Sequence, residues 1–335
     1  MARTLEELAE LAQVSRSTVS RVLNGGSVKA ETRARVLTVL ESTGYRPNVA
    51  ARNLASGRSG VVGVVMHETP GVLFHDPYFS LLFRGIGDAL ADQAVGMMLW
   101  LGNRTKEETL SRILRSHLDG VVVTANNLSD SLVDGLLASN FPAVLIGHRR
   151  ADRTASYVDV DHVSAADAMT SHLIGLGRAR IGHISGPRWT VAGEDRHAGW
   201  LRAMRRAGLP TKGLAEEGDY TEASGYAAAA SLIGKGVDAL FCANDRTAAG
   251  AMEAIRHAGR RVPDDIAVAG FDDLEFAARL DPPLTTVRQG VEDQGREAAH
   301  TLLQLLTDPA GGPRRVLLPT ELVIRQSTVG GGLAS

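Results

Sequence analysis

Two sets of polar residues carry spacing that could do chemistry. Arg16, Ser17, Ser20 and Arg21 share the outward side of a short helical stretch whose apolar residues Val19, Val22 and Leu23 face the other way. Such a helix fits the major groove of DNA, where an arginine can bond guanine O6 and N7 together. From the pattern alone, a solvated face on a small helical bundle is the alternative. The second set is Arg196, Asn244 and Asp272, each expected where a strand ends or a helix begins. Fixed, planar hydrogen-bonding groups of this kind suit the hydroxyls of a neutral sugar. Trp189 offers a face for a pyranose ring, with Tyr78, Phe79 or Phe74 opposing it.

Patterns for catalysis are missing. There is no GxxxxGK phosphate loop, no HExxH and no GxSxG elbow, and Gly85-Ile86-Gly87 falls inside a helical stretch instead of following a strand. The ten histidines are scattered and Cys242 is the single cysteine, so neither a zinc site nor an intrachain disulfide is expected. His67, His75, His148 and His172 read as surface or cleft residues. Asp245 reads as a helix cap, and Gln289 as a residue that could stitch a crossover strand. No enzyme, cofactor or metal is expected.

The elements that must position these residues differ along the chain. Thr4 with Glu7 forms a capping box ahead of Leu5, Leu8, Ala9 and Ala12. Ser15 can cap a second helix, ended by Asn24-Gly25-Gly26. A third runs from about Ala30 to Ser42, with Gly44 as its stop. Asn48 can cap a short fourth helix through Leu54, and Ser56 to Gly60 is a flexible boundary. Beyond Gly60, apolar strands alternate with amphipathic helices. The strand candidates begin with 61–66, 95–101, 120–124 and 143–146, and the pattern restarts at Asp161 with strands at 180–184, 239–243 and 266–271. Alternation of this kind predicts two doubly wound parallel-sheet subdomains with a ligand crevice between them.

Composition agrees with that division. Of 335 residues, 44% are hydrophobic and 22% charged, and no apolar run approaches a membrane span. The first 60 residues hold nine basic and five acidic side chains, which leaves +4 there and −6 on the rest of a chain whose net charge is −2. A basic head on an acidic body suits a head that meets a polyanion. The first ten residues carry three glutamates and no secretory signal, so a cytoplasmic protein is expected.

The stretch Val14-Ser15-x-x-Thr18-Val19-Ser20-Arg21-Val22-Leu23-Asn24, followed by Thr32-Arg33 and Gly44-Tyr45-x-Pro47-Asn48, resembles the DNA-binding head of the lactose-repressor (LacI/GalR) family. Ala51-Arg52-x-Leu54 is similar to that family's hinge helix. The likeness continues in Arg180-Ile181-Gly182-x-Ile184-x-Gly186-Pro187, Phe241-x-Ala243-Asn244-Asp245 and Ala269-Gly270-Phe271-Asp272-Asp273. It implies a helix-turn-helix head at 1–46, a hinge helix and linker at 47–60, and a periplasmic-binding-protein-like body at 61–335. In that body an N-subdomain takes 61–160 and 290–317, and a C-subdomain takes 161–289 and 318–335. It implies base reading by Arg16 and Ser17, and a base or phosphate contact by Arg21. Backbone contacts fall to Thr18, Ser20, Asn24 and Asn48, and Leu54 matches the leucine that wedges into the minor groove. Arg196, Asn244, Asp272 and Gln289 fall at effector-contacting positions. One departure is Gln13, where the family often has glycine.

Together these readings predict a homodimeric regulator that binds a pseudo-palindromic operator in double-stranded DNA under the control of a small-molecule effector, expected to be a sugar. Regulation of carbohydrate uptake or catabolism genes is the expected role, with no membrane partner. A nucleoside or another metabolite as effector is the alternative, as is an architectural DNA-binding protein without one. After Arg325 the sequence offers no heptad tail, so a dimer is expected over a tetramer.

Overall fold

The computed structural model describes residues 4–23, 26–45, 58–66, 68, 70–101, 105–124, 127, 130–148 and 154–329. The chain divides into two compact units, 1–59 and 60–335.

In the first unit α1 (Leu5–Leu11), α2 (Arg16–Leu23) and α3 (Ala30–Thr43) enclose a small core of Leu8, Ala9, Ala12, Val19, Val22 and Val36. Thr4 and Glu7 close the capping box reciprocally at 3.3 Å each. The turn between α1 and α2 puts Gln13 at φ 52°, with the Gln13 N–H donating to the Glu10 carbonyl and the Val14 N–H to that of Ala9. This left-handed helix stop is the geometry that glycine adopts most cheaply. Ser15 Oγ accepts from the Thr18 N–H at 3.2 Å and starts α2. Gly44, at φ 59°, stops α3.

The second unit begins with β1 (Val61–Met66), α4 (Pro70–His75), α5 (Pro77–Ala91), β2 (Gly96–Leu101), α6 (Lys106–Leu114), β3 (Gly120–Thr124), α7 (Ser131–Ala138), β4 (Ala143–Ile146) and β5 (Ser156–Val160). It continues with α8 (His162–Gly175), β6 (Ile181–Ser185), α9 (Val191–Arg206), β7 (Ala215–Glu217), α10 (Glu222–Gly234), β8 (Ala239–Cys242), α11 (Asp245–His257) and β9 (Ala267–Ala269). The last elements are β10 (Thr286–Arg288), α12 (Val291–Thr307), β11 (Arg315–Leu318) and β12 (Glu321–Val323).

A six-stranded parallel sheet runs β11-β5-β4-β3-β1-β2, and a four-stranded parallel sheet runs β7-β6-β8-β9. The order reverses at β1/β3 in the first sheet and at β6/β8 in the second. Ligand crevices of doubly wound sheets open at such places, outside the carboxyl ends of the strands. Each sheet has its own buried core, so the unit consists of two lobes. The chain passes between the lobes at 160–162, 288–291 and 318–321. Helices α5 and α12 cross closely in the first lobe, because a Cβ at Gly85 would collide with the Glu292 carbonyl and one at Gly295 with that of Leu82. Among the described residues no helix is long and apolar enough to cross a membrane.

Several element bounds depart from the sequence expectation. The helix expected from Ser129 starts at Ser131, because Asp130 accepts from the Leu132 N–H and caps it. The strand expected at 180–184 runs one residue later, through the buried Ser185.

Candidate functional site

A cavity of about 320 Å³ lies between the two lobes. Its size is at the lower end of the ~300–1,000 Å³ usual for small-molecule sites. Tyr78, Phe79, Trp189, Arg196, Asn244, Asp272 and Gln289, all singled out from the sequence, line it together. All but Arg196 arrive from at or near the end of an element. Asp76 accepts from the Tyr78 N–H at 3.0 Å and starts α5, so Tyr78 and Phe79 sit in its first turn, edge to face at 5.3 Å. Thr190 accepts from the Gly193 N–H and starts α9, placing Trp189 just before the helix and Arg196 in its second turn.

The floor is a chain of buried polar groups. The Arg196 guanidinium stacks over Phe271 at 3.7 Å, donates to the Ala243 carbonyl and lies 3.8 Å from Asp272. Gln289 donates to Asp272, and Gln294 donates to the Gln289 side chain at 3.1 Å. Asp272 is held at φ 115°, with its N–H bonded to the Val287 carbonyl. A non-glycine residue there costs backbone strain, which the surrounding contacts must offset. Burial raises the Asp272 pKa to about 7; Arg196 pulls it down and Asp76 pushes it up. At the other extreme stands Trp189, 58% exposed at the cavity mouth.

A second polar group joins the floor beside the crossover at 160–162. Asp159 accepts from His148 Nδ1 at 2.7 Å and lies 3.1 Å from His162 Nε2, and Arg196 approaches His162 Nδ1 at 3.4 Å. Burial alone would raise Asp159, but His162, the His148 hydrogen bond and the Val160 N–H outweigh it and hold the carboxyl below the usual range. Burial lowers the pKa of His162, against the pull of Asp159. Around the cavity, Glu68, Asp76, Asp159, Asp219 and Asp272 outnumber Arg196 and Arg246.

Some roles differ from the expectation. Asn244, not Asp245, caps α11: its Oδ1 accepts from the Thr247 N–H at 2.8 Å while its Nδ2 donates to the Tyr220 carbonyl. Asp245 instead accepts from the Leu274 N–H at 2.8 Å and from the Thr286 hydroxyl, stitching the second lobe. Phe74 is 68% exposed and is not among the lining residues. His172 bonds Thr328 at 3.1 Å, His75 is exposed, and His67 lies outside the described residues. The lining residues that sequence reasoning missed include Glu68, Asp76, Asp159, His162 and Arg246. The available signal for Asp76 was its place before Pro77, a start motif for a helix. Among the described residues no His, Cys, Asp and Glu cluster suits a metal ion.

In the first unit Arg16, Ser17 and Arg21 are exposed on α2, and Thr18 and Ser20 are half-buried. Ser15 Oγ bonds the hydroxyls of both Ser17 and Thr18 at 2.8 Å. Arg16 pairs with Glu6 at 3.0 Å, both side chains more than half exposed. An ion pair this exposed is worth little, so Arg16 can leave it for a stronger partner at small cost. Asn24, Asn48, Ala51 and Leu54 lie outside the described residues.

Residues 4–48 match the family described as bacterial regulatory proteins, lacI family, and residues 170–328 match the periplasmic binding protein-like domain. The chain is 37% identical over 332 residues to the HTH-type transcriptional regulator CelR of Thermobifida fusca, covering 97% of this chain and 98% of that one. It is 35% identical to the HTH-type transcriptional regulator MalR of Streptomyces coelicolor, covering 98% and 97%. Among solved structures, a CelR–cellobiose complex aligns with a TM-score of 0.77 at 35% identity, covering 97% of this chain and 99% of that one. A Lac repressor dimer bound to operator and an anti-inducer aligns at 0.84 and 30%, covering 98% and 99%.

Proposed function

Because the chain belongs to the lacI family of bacterial regulatory proteins, we propose that it represses sugar-catabolism genes by binding operator DNA as a dimer, under the control of a neutral sugar held between the lobes of its body. The observation that carries the sugar is the pairing, in one cavity, of the exposed Trp189 ring with the buried Arg196–Asp272–Gln289 chain. The floor supplies fixed donors and acceptors for hydroxyls, and the indole supplies an apolar face for a ring. The carboxylates of Asp76, Asp159 and Asp219 around the cavity disfavour phosphorylated and acidic sugars, which would be desolvated against like charge. The likeness to a CelR–cellobiose complex supports a disaccharide as the first ligand to try.

On the DNA side, Arg16 and Ser17 read bases from the start of α2, Arg21 contacts a base or phosphate one turn on, and Thr18 and Ser20 hold the backbone. Asn24, Asn48, Ala51 and Leu54 complete the DNA contacts in this reading. The head occupies 1–46, a hinge segment 47–60 and the body 61–335. Calorimetric titration with cellobiose, maltose, their acidic counterparts and a sugar phosphate tests the effector assignment. Binding of a neutral disaccharide that is lost in Asp272→Ala is expected. Preference for an acidic or phosphorylated sugar would overturn it.

A further inference from the structure

An ion pair joins the two lobes in the cavity wall, in addition to the approach of His148 Nε2 to Asp195 at 3.5 Å. Arg246, in the first turn of α11 in the second lobe, lies 3.3 Å from Asp76 Oδ2 in the first lobe. The two side chains are 17% and 9% exposed, and Arg246 also approaches Glu222 at 3.8 Å. Each residue is built into a wall of the cavity. Asp76 Oδ1 caps α5, the helix that brings Tyr78 and Phe79, and Arg246 follows directly on Asn244 and Asp245 at the start of α11. The pair thus ties together the two helix starts that face each other across the cleft. The lobes also meet at the isolated backbone bridge between Asn127 and Thr190.

We propose that Arg246 and Asp76 form a gate across the cleft, closing the lobes on each other and setting how fast the effector enters and leaves. The proposal rests on the reading of this cavity as the effector site. The Arg246 guanidinium is taken up by protein carboxylates of both lobes, Asp76 and Glu222, so it serves to tie the lobes instead of waiting for a ligand. Both residues line the cavity, and a closed state favoured by their pairing makes entry wait for spontaneous opening. A residue that only touched the effector would change the rate of release. A gate changes both rates.

The test uses Arg246→Gln, Asp76→Asn and the double variant in the full chain; asparagine keeps the α5 cap while removing the charge. Cellobiose is the probe, followed by stopped-flow tryptophan fluorescence. Association and dissociation should both accelerate, by about five-fold, in either single variant, the scale of one partly buried ion pair. The double variant should add little to either single, because the two act on one interaction. Acceleration of release alone would make Arg246 a ligand contact and overturn the gate. A second measurement needs no ligand. Spin labels at Asp88→Cys on α5 and Arg256→Cys on α11, both exposed, report the distance between the lobes when the labelled chain is diluted into dimers with excess unlabelled chain. The buried Cys242 is out of reach of the label. The distance distribution should shift longer and broaden when the pair is broken, and an unchanged distribution would overturn the gate. If the distances widen while cellobiose fails to bind the unmodified protein, the gate stands and the sugar reading falls.

Discussion

At the scale of single residues, the two ends of the molecule place opposite demands on their charged groups. Arg16 is exposed and weakly held by Glu6, so it can exchange that carboxylate for a guanine edge. Arg16→Ala should weaken binding to the preferred operator by ~1–3 kcal/mol and relax selectivity at one base position in each half-site. Titration against a panel of single-base operator variants checks this; an equal loss on every sequence would reassign Arg16 to a phosphate. Asp272 is instead fixed, buried and crowded. Its folded pKa of about 7 stands above the ordinary carboxylate value, so the stabilisation it contributes is fully present at low pH and is lost as pH rises through 7. Relative to Asp272→Asn, the urea midpoint of the wild-type body should therefore fall between pH 5 and pH 8, whatever slope the buried histidines add to both proteins. An equal or steeper fall in the variant would contradict the assignment. Asp272 could be read from the sequence because it sits just beyond a strand end, whereas the helix expected to start at Arg196 starts at Val191, capped by Thr190, and carries Arg196 in its second turn. Glu68, Asp159, His162 and Arg246 could not, because they join the cavity only when the two lobes come together.

At the scale of elements, helix ends and close crossings set the geometry of the site. Asp76, Thr190 and Asn244 each spend a side-chain oxygen on a helix start, and each start delivers cavity-lining residues. The strands β1, β3, β4, β6 and β8 were legible as short apolar runs, and the first three helices as capped, periodic stretches. Helix α10 was not, since alanine at 227–230 occupies every side of it and leaves no apolar stripe to count. Strands β7, β10 and β12 are three residues each, too short for an alternation to show. The Gly85-Ile86-Gly87 pattern, set aside as a phosphate loop, has a packing role, because Gly85 lets α5 lie against the α12 backbone. Gly85→Ala should cost ~1–3 kcal/mol through overpacking, read as a lower urea midpoint of the body. An unchanged midpoint would mean that the two helices separate freely.

At the scale of the whole molecule, the proposed function requires that a two-lobed body which holds the effector be coupled to a head that reads DNA. Ligand that binds only the folded body stabilises it by ~2.7 kcal/mol at 100 times its dissociation constant. A thermal shift that grows with disaccharide concentration and is abolished in Asp272→Ala is therefore expected. Coupling to the head requires more, because the effector must favour one of two lobe arrangements that differ in DNA affinity. The direct measurement is the operator dissociation constant of the full-length dimer, by fluorescence anisotropy on a selected pseudo-palindromic fragment, with and without saturating cellobiose. A shift of ~10-fold or more, the scale of a typical coupling free energy, is the predicted result, absent in Asp272→Ala. An operator affinity that stays the same while calorimetry shows the cleft filled would contradict the account.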